Sequence, residues 1–232
     1  MEKNQNYLVL GNRPWSAKVF DEVLRQYPGN WYFINTLEEL TLQVVEQCTP
    51  RYLFFLHWSW RVPEEIVNRY ECVCFHMTDL PFGRGGTPLQ NLILRGFRKT
   101  KLSAFRMTSA FDDGPVYMKE ELSLEGSASE IYQRANNLST HMIQRLIEER
   151  PIPVPQVGEV VIFQRRKPDE SVIPSFPSIE ALYDFIRMLD AEGYPKASIH
   201  WNGFCYEFSE ARLKSGVLQA YVTITPQQER KK

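Results

Sequence analysis

No stretch of this chain approaches the roughly 20 consecutive apolar residues of a membrane-spanning helix. The amino terminus, "MEKNQNYLVLG", also lacks the apolar segment of a secretory signal. A soluble, cytoplasmic protein without membrane partners is therefore expected. Charge of one sign is missing too: the formal net charge is -1, whereas a surface built against phosphate backbones usually shows a basic excess or a basic stripe. The two basic clusters, "RGFRKTK" (95–101) and "QRRK" (164–167), are short and read as solvated faces, so no nucleic-acid partner is expected. Four cysteines, Cys48, Cys72, Cys74 and Cys205, are too few and too unevenly placed for a disulfide framework, and reduced thiols are the default. The loop after the first apolar run is "GNRPWS", not the Gly-x-Gly-x-x-Gly of a dinucleotide-binding turn. Internal repeats and low-complexity tracts are absent as well.

What is present reads as alternating elements around one substantial core with a small appendage, in a chain of 232 residues that is 43% hydrophobic. "NYLVL" (6–10) is a short buried strand ending at Gly11, and Val19, Phe20, Val23 and Leu24 recur at helical spacing over residues 17–26. The alternation continues through "WYFIN" (31–35), "LEELTLQVVEQC" (37–48), "YLFFLH" (52–57), "PEEIVNRY" (63–70) and "CVCFH" (72–76). Strands alternating with helices predict an α/β fold with a Rossmann-like, mostly parallel sheet, whose ligands bind beyond the carboxyl ends of the strands. His57, His76 and the loop "GNRPW" fall at those ends. After a helix predicted from Thr87 onward, residues 103–122 read as a strand pair joined by a loop at 109–114, and residues 128–149 as the longest helix. Three prolines in "RPIPVPQVG" then break the pattern. The main domain is expected over residues 1–165. Residues 166–232 are expected to form a linker and a small α+β subdomain.

Strand periodicity places Cys72, Cys74 and His76 on one face. Structural zinc normally wants four ligands, and no fourth stands at a recognisable spacing, so no metal is expected. His76 is set apart by the Pro/Gly-rich loop that follows it, as suits a ligand site at a strand end.

Here "FHMTDLPFGRGGTPLQNLI" resembles the histidine-centred motif of the folate-dependent formyltransferases, through His76, Leu80, Pro81, Arg84, Gly85 and Pro88. "AFDDGPV" (110–116) resembles the family's second motif, an aspartate just before Gly-Pro on a loop between strands, with Asp112 at the catalytic position. The resemblance covers roughly residues 7–163, and "LYDFIRMLDAEGYPKASI" is similar to the start of the carboxy-terminal region in longer members. One departure stands out: the family's Asn of Asn-x-His falls at Cys74, a weak donor in place of an amide that helps hold the oxyanion.

The resemblance implies transfer of a formyl group from N10-formyltetrahydrofolate, as co-substrate, to an acceptor amine. It implies that His76 stabilises developing charge and that Asp112 orients the imidazole and accepts the amine's proton. The folate pocket is implied at Trp60, Arg61, Val62, Arg106, Met107 and Thr108. For the acceptor, Gly11, Asn12, Arg13 and Trp15 of the first loop suit a phosphate and a ring, joined by Arg84, Gly85, Gln90 and Asn91 of the histidine motif. The motif is most similar to that of bacterial amino-sugar N-formyltransferases. The expected acceptor is thus a nucleotide-linked amino-dideoxy sugar, such as a UDP-4-amino-4,6-dideoxyhexose for surface glycans or a pseudaminic-acid-type pathway. Methionyl-tRNA, glycinamide ribonucleotide and a catalytically inactive binding module are the alternatives. The small carboxy-terminal unit has two open roles, closing over the nucleotide or forming a homodimer face.

Overall fold

The computed structural model describes residues 5–227. In chain order the elements are β1 (Asn6–Leu10), α1 (Pro14–Glu22), β2 (Asn30–Ile34), α2 (Leu42–Cys48), β3 (Tyr52–Phe55), α3 (Glu64–Arg69), β4 (Cys72–His76), β5 (Phe82–Gly85) and α4 (Pro88–Leu94). They continue with β6 (Lys99–Arg106), β7 (Val116–Ser123), α5 (Ala128–Glu149), β8 (Val161–Phe163), α6 (Ile179–Arg187), β9 (Ala197–Trp201), β10 (Phe204–Lys214) and β11 (Val217–Pro226). The chain divides into two compact units. The first holds residues up to 88 with 100–122 and 132–163, the second 89–99, 123–131 and the chain from 164 onward. The second unit thus draws on two segments that lie inside the span 1–165.

The principal sheet has the order β2-β1-β3-β4-β6-β7. β1 pairs in parallel with β2 and β3, β3 pairs in parallel with β4, and β6 joins β4 antiparallel. The fold is α/β with a mostly parallel sheet, as the strand–helix alternation predicts. Central strands covered on both faces need apolar side chains at every position. On one face Leu8, Leu10, Leu53 and Phe55 join Val45, Ile66 and Cys72 in a single buried cluster. On the other an aromatic row runs Tyr7–Trp31–Phe54–Phe75, with successive ring centroids 4.6, 6.2 and 6.4 Å apart.

Several elements start later or sooner than periodicity alone predicts, because capping decides their ends. α2 begins at Leu42 rather than 37, since the Thr41 side chain accepts a hydrogen bond from the Val44 amide and caps the first turn. α1 begins at Pro14, at the position where a proline fits the first turn. The stretch 82–85, read from the sequence as loop, is β5, and it pairs in parallel with β8 in a separate two-stranded sheet.

In the second unit β9, β10 and β11 form an antiparallel sheet in the order β11-β10-β9. Its two hairpin turns are Asn202-Gly203, with φ of 50 and 78°, and Ser215-Gly216, with φ of 50 and 75°. Positive φ at both central residues gives a turn whose twist matches the strands it joins. Arg187, the last residue of α6, is only 2% exposed. Its Nε donates to Asp184 Oδ1 at 2.6 Å, and Nη1 donates to the carbonyls of Leu124 at 2.6 Å and Gly126 at 2.7 Å. Removing this buried guanidinium takes a donor from two carbonyls and leaves Asp184 with Arg98 Nη1, at 2.8 Å, as its remaining cation. Arg187→Met is expected to lower stability by about 3 kcal/mol, read as a fall in the urea midpoint. Arg187→Lys should recover only part of it, since an ammonium lacks the planar fork; an unchanged midpoint in Arg187→Met would remove this role.

Candidate active site

β5 presents its two backbone edges to different partners. Toward β8, Gly86 N donates to Phe163 O at 3.1 Å. The odd-numbered residues turn the other way: the Gly83 carbonyl accepts from His76 Nε2 at 2.8 Å, and the Gly85 amide donates to Asp112 Oδ2 at 2.8 Å. The register with β8 shifts between Phe82 and Arg84, and the Gly83 carbonyl and Gly85 amide both turn away from β8, so four residues of strand suffice to seat both side chains. Because a carbonyl only accepts, Nε2 carries the ring proton. His76 Nδ1 is then the atom turned toward Asp112 Oδ2, 3.7 Å away. Both side chains are mostly enclosed, 9% and 18% exposed. The glycines are required here: Gly83 and Gly85 sit at φ of 78 and 102°, and a Cβ on Gly85 would meet Phe163 O at 2.5 Å.

Asp112 itself has φ of 52°, a left-handed conformation unusual outside glycine. Two residues on, a Cβ on Gly114 would stand 1.7 Å from Arg106 O, so only glycine lets the loop close against β6. Gln156 completes the loop's support. Its amide donates to the carbonyls of Asp112 and Gly114, both at 2.8 Å, and its oxygen accepts from Arg84 Nε at 3.0 Å and Nη2 at 2.8 Å.

Beside Asp112 opens a shallow cleft of about 70 Å³, lined by Trp60, Arg61, Val62, Phe105, Met107 and Thr108 among others. Of the six residues implied for the folate pocket, five line this cleft and Arg106 does not. Strand alternation explains the exception: Phe105 and Met107 face the cleft, while Arg106 lies 3.7 Å from Glu71. Phe105 and the exposed Phe111 are lining residues that sequence reasoning missed. Arg61 forms an exposed ion pair with Glu64 at 2.6 Å.

The residues expected to hold the acceptor are dispersed. Gly11 is packed so tightly that a Cβ would meet Ser16 Cβ at 2.5 Å, Asn12 Oδ1 accepts from Ser59 at 3.4 Å, and Arg13 stands at the N-cap position of α1 without a side-chain capping bond. Trp15 stacks on Tyr132 with centroids 5.3 Å apart and rings 6° from parallel, so that indole face is not available to a base. Gln90 and Asn91 are buried on α4 and belong to the second unit. Their amides donate at 3.0 Å to the carbonyls of Met188 and Gln164. Buried amides take partners in the packed interior in this way. Arg84 and Gly85 do sit at the centre, holding Gln156 and Asp112 rather than facing outward.

Cys74 lies beside Phe105, Leu80 and Met107. Burial first, and then the charge of Asp112, push its thiol pKa up. It is therefore a neutral S–H, not a thiolate nucleophile. Burial also pushes the Cys72 thiol up to about 12. Among the described residues no group of three or more His, Cys, Asp or Glu side chains could hold a metal ion, and no helix is long and apolar enough to cross a membrane.

Residues 168–225 match the family model described as the methionyl-tRNA formyltransferase C-terminal domain. A solved structure, methionyl-tRNA formyltransferase from Clostridium thermocellum, is 43% identical across 96% of this chain and 100% of its own, with a TM-score of 0.90. The chain belongs to the folate-dependent formyltransferase family. A methionyl-tRNA formyltransferase from Rickettsia massiliae (strain Mtu5) is 26% identical over 58% of this chain and 47% of its own length. The chain thus spans about half the length of the curated relatives it matches. HypX from Aquifex aeolicus in complex with tetrahydrofolic acid is 15% identical over 91% of this chain and 40% of its own, with a TM-score of 0.71. At that identity the likeness shows the fold alone. Formyltransferase relatives use N10-formyltetrahydrofolate as one-carbon donor.

The 43% match and the C-terminal family model overturn the expectation of a nucleotide-linked amino-sugar acceptor. Matches to two sugar N-formyltransferase structures stand at only 16% and 12% identity. The same findings overturn the expected absence of a nucleic-acid partner, since these relatives carry tRNA in their names. A net charge near zero is a sum over the chain, whereas phosphate contacts depend on where individual cations sit.

His57 is the second histidine at a strand end, and its role is electrostatic. It sits at φ of 53°, edge-on to Trp15 and Tyr132. Burial first and the nearby Arg13 charge lower its pKa to about 4, with the neighbouring Asn136 side chain acting in the opposite direction. An unfolded histidine takes its proton near pH 6.5, so stability is full above that value and falls as pH drops toward 4, by roughly 3 kcal/mol at most. His57→Asn keeps a residue that tolerates left-handed φ and removes the titration. Its stability, measured by urea unfolding from pH 7 to 4, is expected to fall less steeply than that of the parent; parallel curves would show that His57 does not titrate on unfolding.

Proposed function

We propose that this formyltransferase transfers the formyl group of N10-formyltetrahydrofolate to the amine of methionyl-tRNA. The observation that carries the proposal is the 43% identity to a methionyl-tRNA formyltransferase across 96% of this chain and 100% of that one. The C-terminal match over residues 168–225 supports it independently of the histidine and aspartate motifs. In this reading residues 1–165 supply the chemistry and residues 166–232 serve the acceptor side. The location is the cytoplasm, where tRNA is charged.

The cleft suits the donor. Val62, Phe105 and Met107 offer apolar walls, and residues 107–112 line the cleft as well. When bound there, the donor supplies an activated formyl group. Asp112, held by the Gly85 amide, accepts the proton of the attacking amine. His76 turns its unprotonated Nδ1 toward Asp112, so the ring can take up a proton that the carboxylate has accepted from the amine. With Nε2 engaged by Gly83, the ring acts beside the carboxylate instead of pointing a free N–H at the formyl oxygen. The neutral Cys74 thiol, at the position where the motif resemblance implies asparagine, adds a weak donor at most.

Purified protein incubated with N10-formyltetrahydrofolate and methionyl-tRNA is expected to yield formylmethionyl-tRNA, read by mass after deacylation. Failure to form it, with the donor shown to bind, would sink the acceptor assignment. Replacing His76 by Ala or Asp112 by Asn is expected to cut kcat at least about a hundredfold with donor affinity within a few-fold. Retention of near-parental turnover would remove that residue from the chemistry.

Cys74→Ala is expected to keep kcat within about tenfold of the parent, and Cys74→Asn to be tolerated. A much larger loss in Cys74→Ala than in Cys74→Ser would make the thiol a catalytic donor.

A further inference from the structure

We infer that Gln156 is a positioning residue for Asp112, a role that rests on the formyl-transfer reading of the site. Gln156 lies in none of the regular elements. It follows Pro155 in the extended segment between α5 and β8, just after Val154, which exchanges backbone hydrogen bonds with Val116 at 2.7 and 2.9 Å. One primary amide has two hydrogens to donate and an oxygen with two lone pairs. Gln156 uses all four, toward the Asp112 and Gly114 carbonyls and toward Arg84 Nε and Nη2. Its orientation is thereby fixed, because a flipped amide would set NH₂ against a guanidinium and oxygen against two carbonyls.

The loop it holds needs an external clamp. Asp112 sits at φ of 52°, a conformation that costs energy in a residue with a Cβ and persists only where the surroundings impose it. Its neighbours on the loop give little cover: Phe111 is 75% exposed, and Thr108 reaches only the loop's own Ala110 and Asp113. Gln156 binds the main chain on both sides of Asp113. Through Arg84 it also fixes the strand whose next residue, Gly85, donates to the Asp112 carboxylate. Both handles on Asp112, its own carbonyl and its Oδ2, therefore lead back to one side chain. Gln156 does not line the cleft, so its effect on chemistry passes through Asp112.

The test compares Gln156→Ala, Gln156→Glu and Asp112→Asn, singly and with each Gln156 change placed on Asp112→Asn. Glutamate keeps the volume and still accepts from Arg84, but it cannot donate to the two carbonyls. Both Gln156 variants are expected to lose about ten- to a hundredfold in kcat, the scale of a loop misplaced by about 1 Å, with donor KM within about threefold. On Asp112→Asn, either change should cost less than about twofold more, because a residue acting only through Asp112 has nothing left to position. The ¹⁵N shifts of the His76 ring, which need no acceptor, should move in Gln156→Ala toward those of Asp112→Asn.

A full additional loss on Asp112→Asn, unchanged kcat in both single variants, or an unmoved His76 signal would each overturn the role. If Gln156→Ala does not fold, the isosteric Gln156→Glu carries every arm. If the parent formylates no methionyl-tRNA, the acceptor assignment fails while the His76 signal still decides for or against Gln156.

Discussion

The alternation of backbone direction along β5 is the constraint on which the site depends. Its odd-numbered residues hold His76 through a carbonyl and Asp112 through an amide, and its other edge is tied to β8. Slipping the strand by one residue would exchange the two edges and release both side chains. Gly83 and Gly85 make this geometry reachable, since each is in left-handed φ and each would clash with Phe163 if it carried a Cβ. The parallel sheet brings His76 to its carboxyl end, as the fold requires. It is the small two-stranded sheet beside it that turns a histidine and an aspartate into a pair.

The chemistry around that pair is weakly polar and mostly uncharged. Cys72 and Cys74 are neutral thiols by burial, and His57 is held neutral by burial and by Arg13. The Asp112 carboxylate has one backbone amide and the bare Nδ1 of His76 for company, so a proton that reaches it has a second base within 3.7 Å. An apolar cleft with an open rim fits a flat donor ring better than it fits phosphates. The weak Cys74 donor leaves the site dependent on positioning, the contribution to which the Gln156 clamp belongs.

Composition misled where it was asked about an acceptor. The first loop carries an arginine and a tryptophan that suit a nucleotide, yet one face of Trp15 packs on Tyr132. Gln90 and Asn91 satisfy carbonyls of the second unit. Polar and aromatic residues near a strand end have structural duties as well as binding ones, and their types alone do not distinguish the two. The near-neutral charge likewise suppressed the nucleic-acid reading, although a sum carries no information on placement.

The sequence by itself determined the parallel core, because strands covered on both faces must be apolar at nearly every position, as "YLFF" and "CVCF" are. It also determined the candidate histidine and aspartate, each marked by a glycine- and proline-bearing motif that survives as a short local pattern. Tertiary structure alone decided the rest. Arg84 and Gln156 meet across 72 positions of sequence, and Arg187 meets Leu124 across 63. The exchange of Phe105 for Arg106 at the cleft depended on which face of β6 turned inward. Periodicity and turn chemistry are properties of neighbouring residues, whereas a hydrogen bond between distant segments exists only once the fold has brought them within about 3 Å.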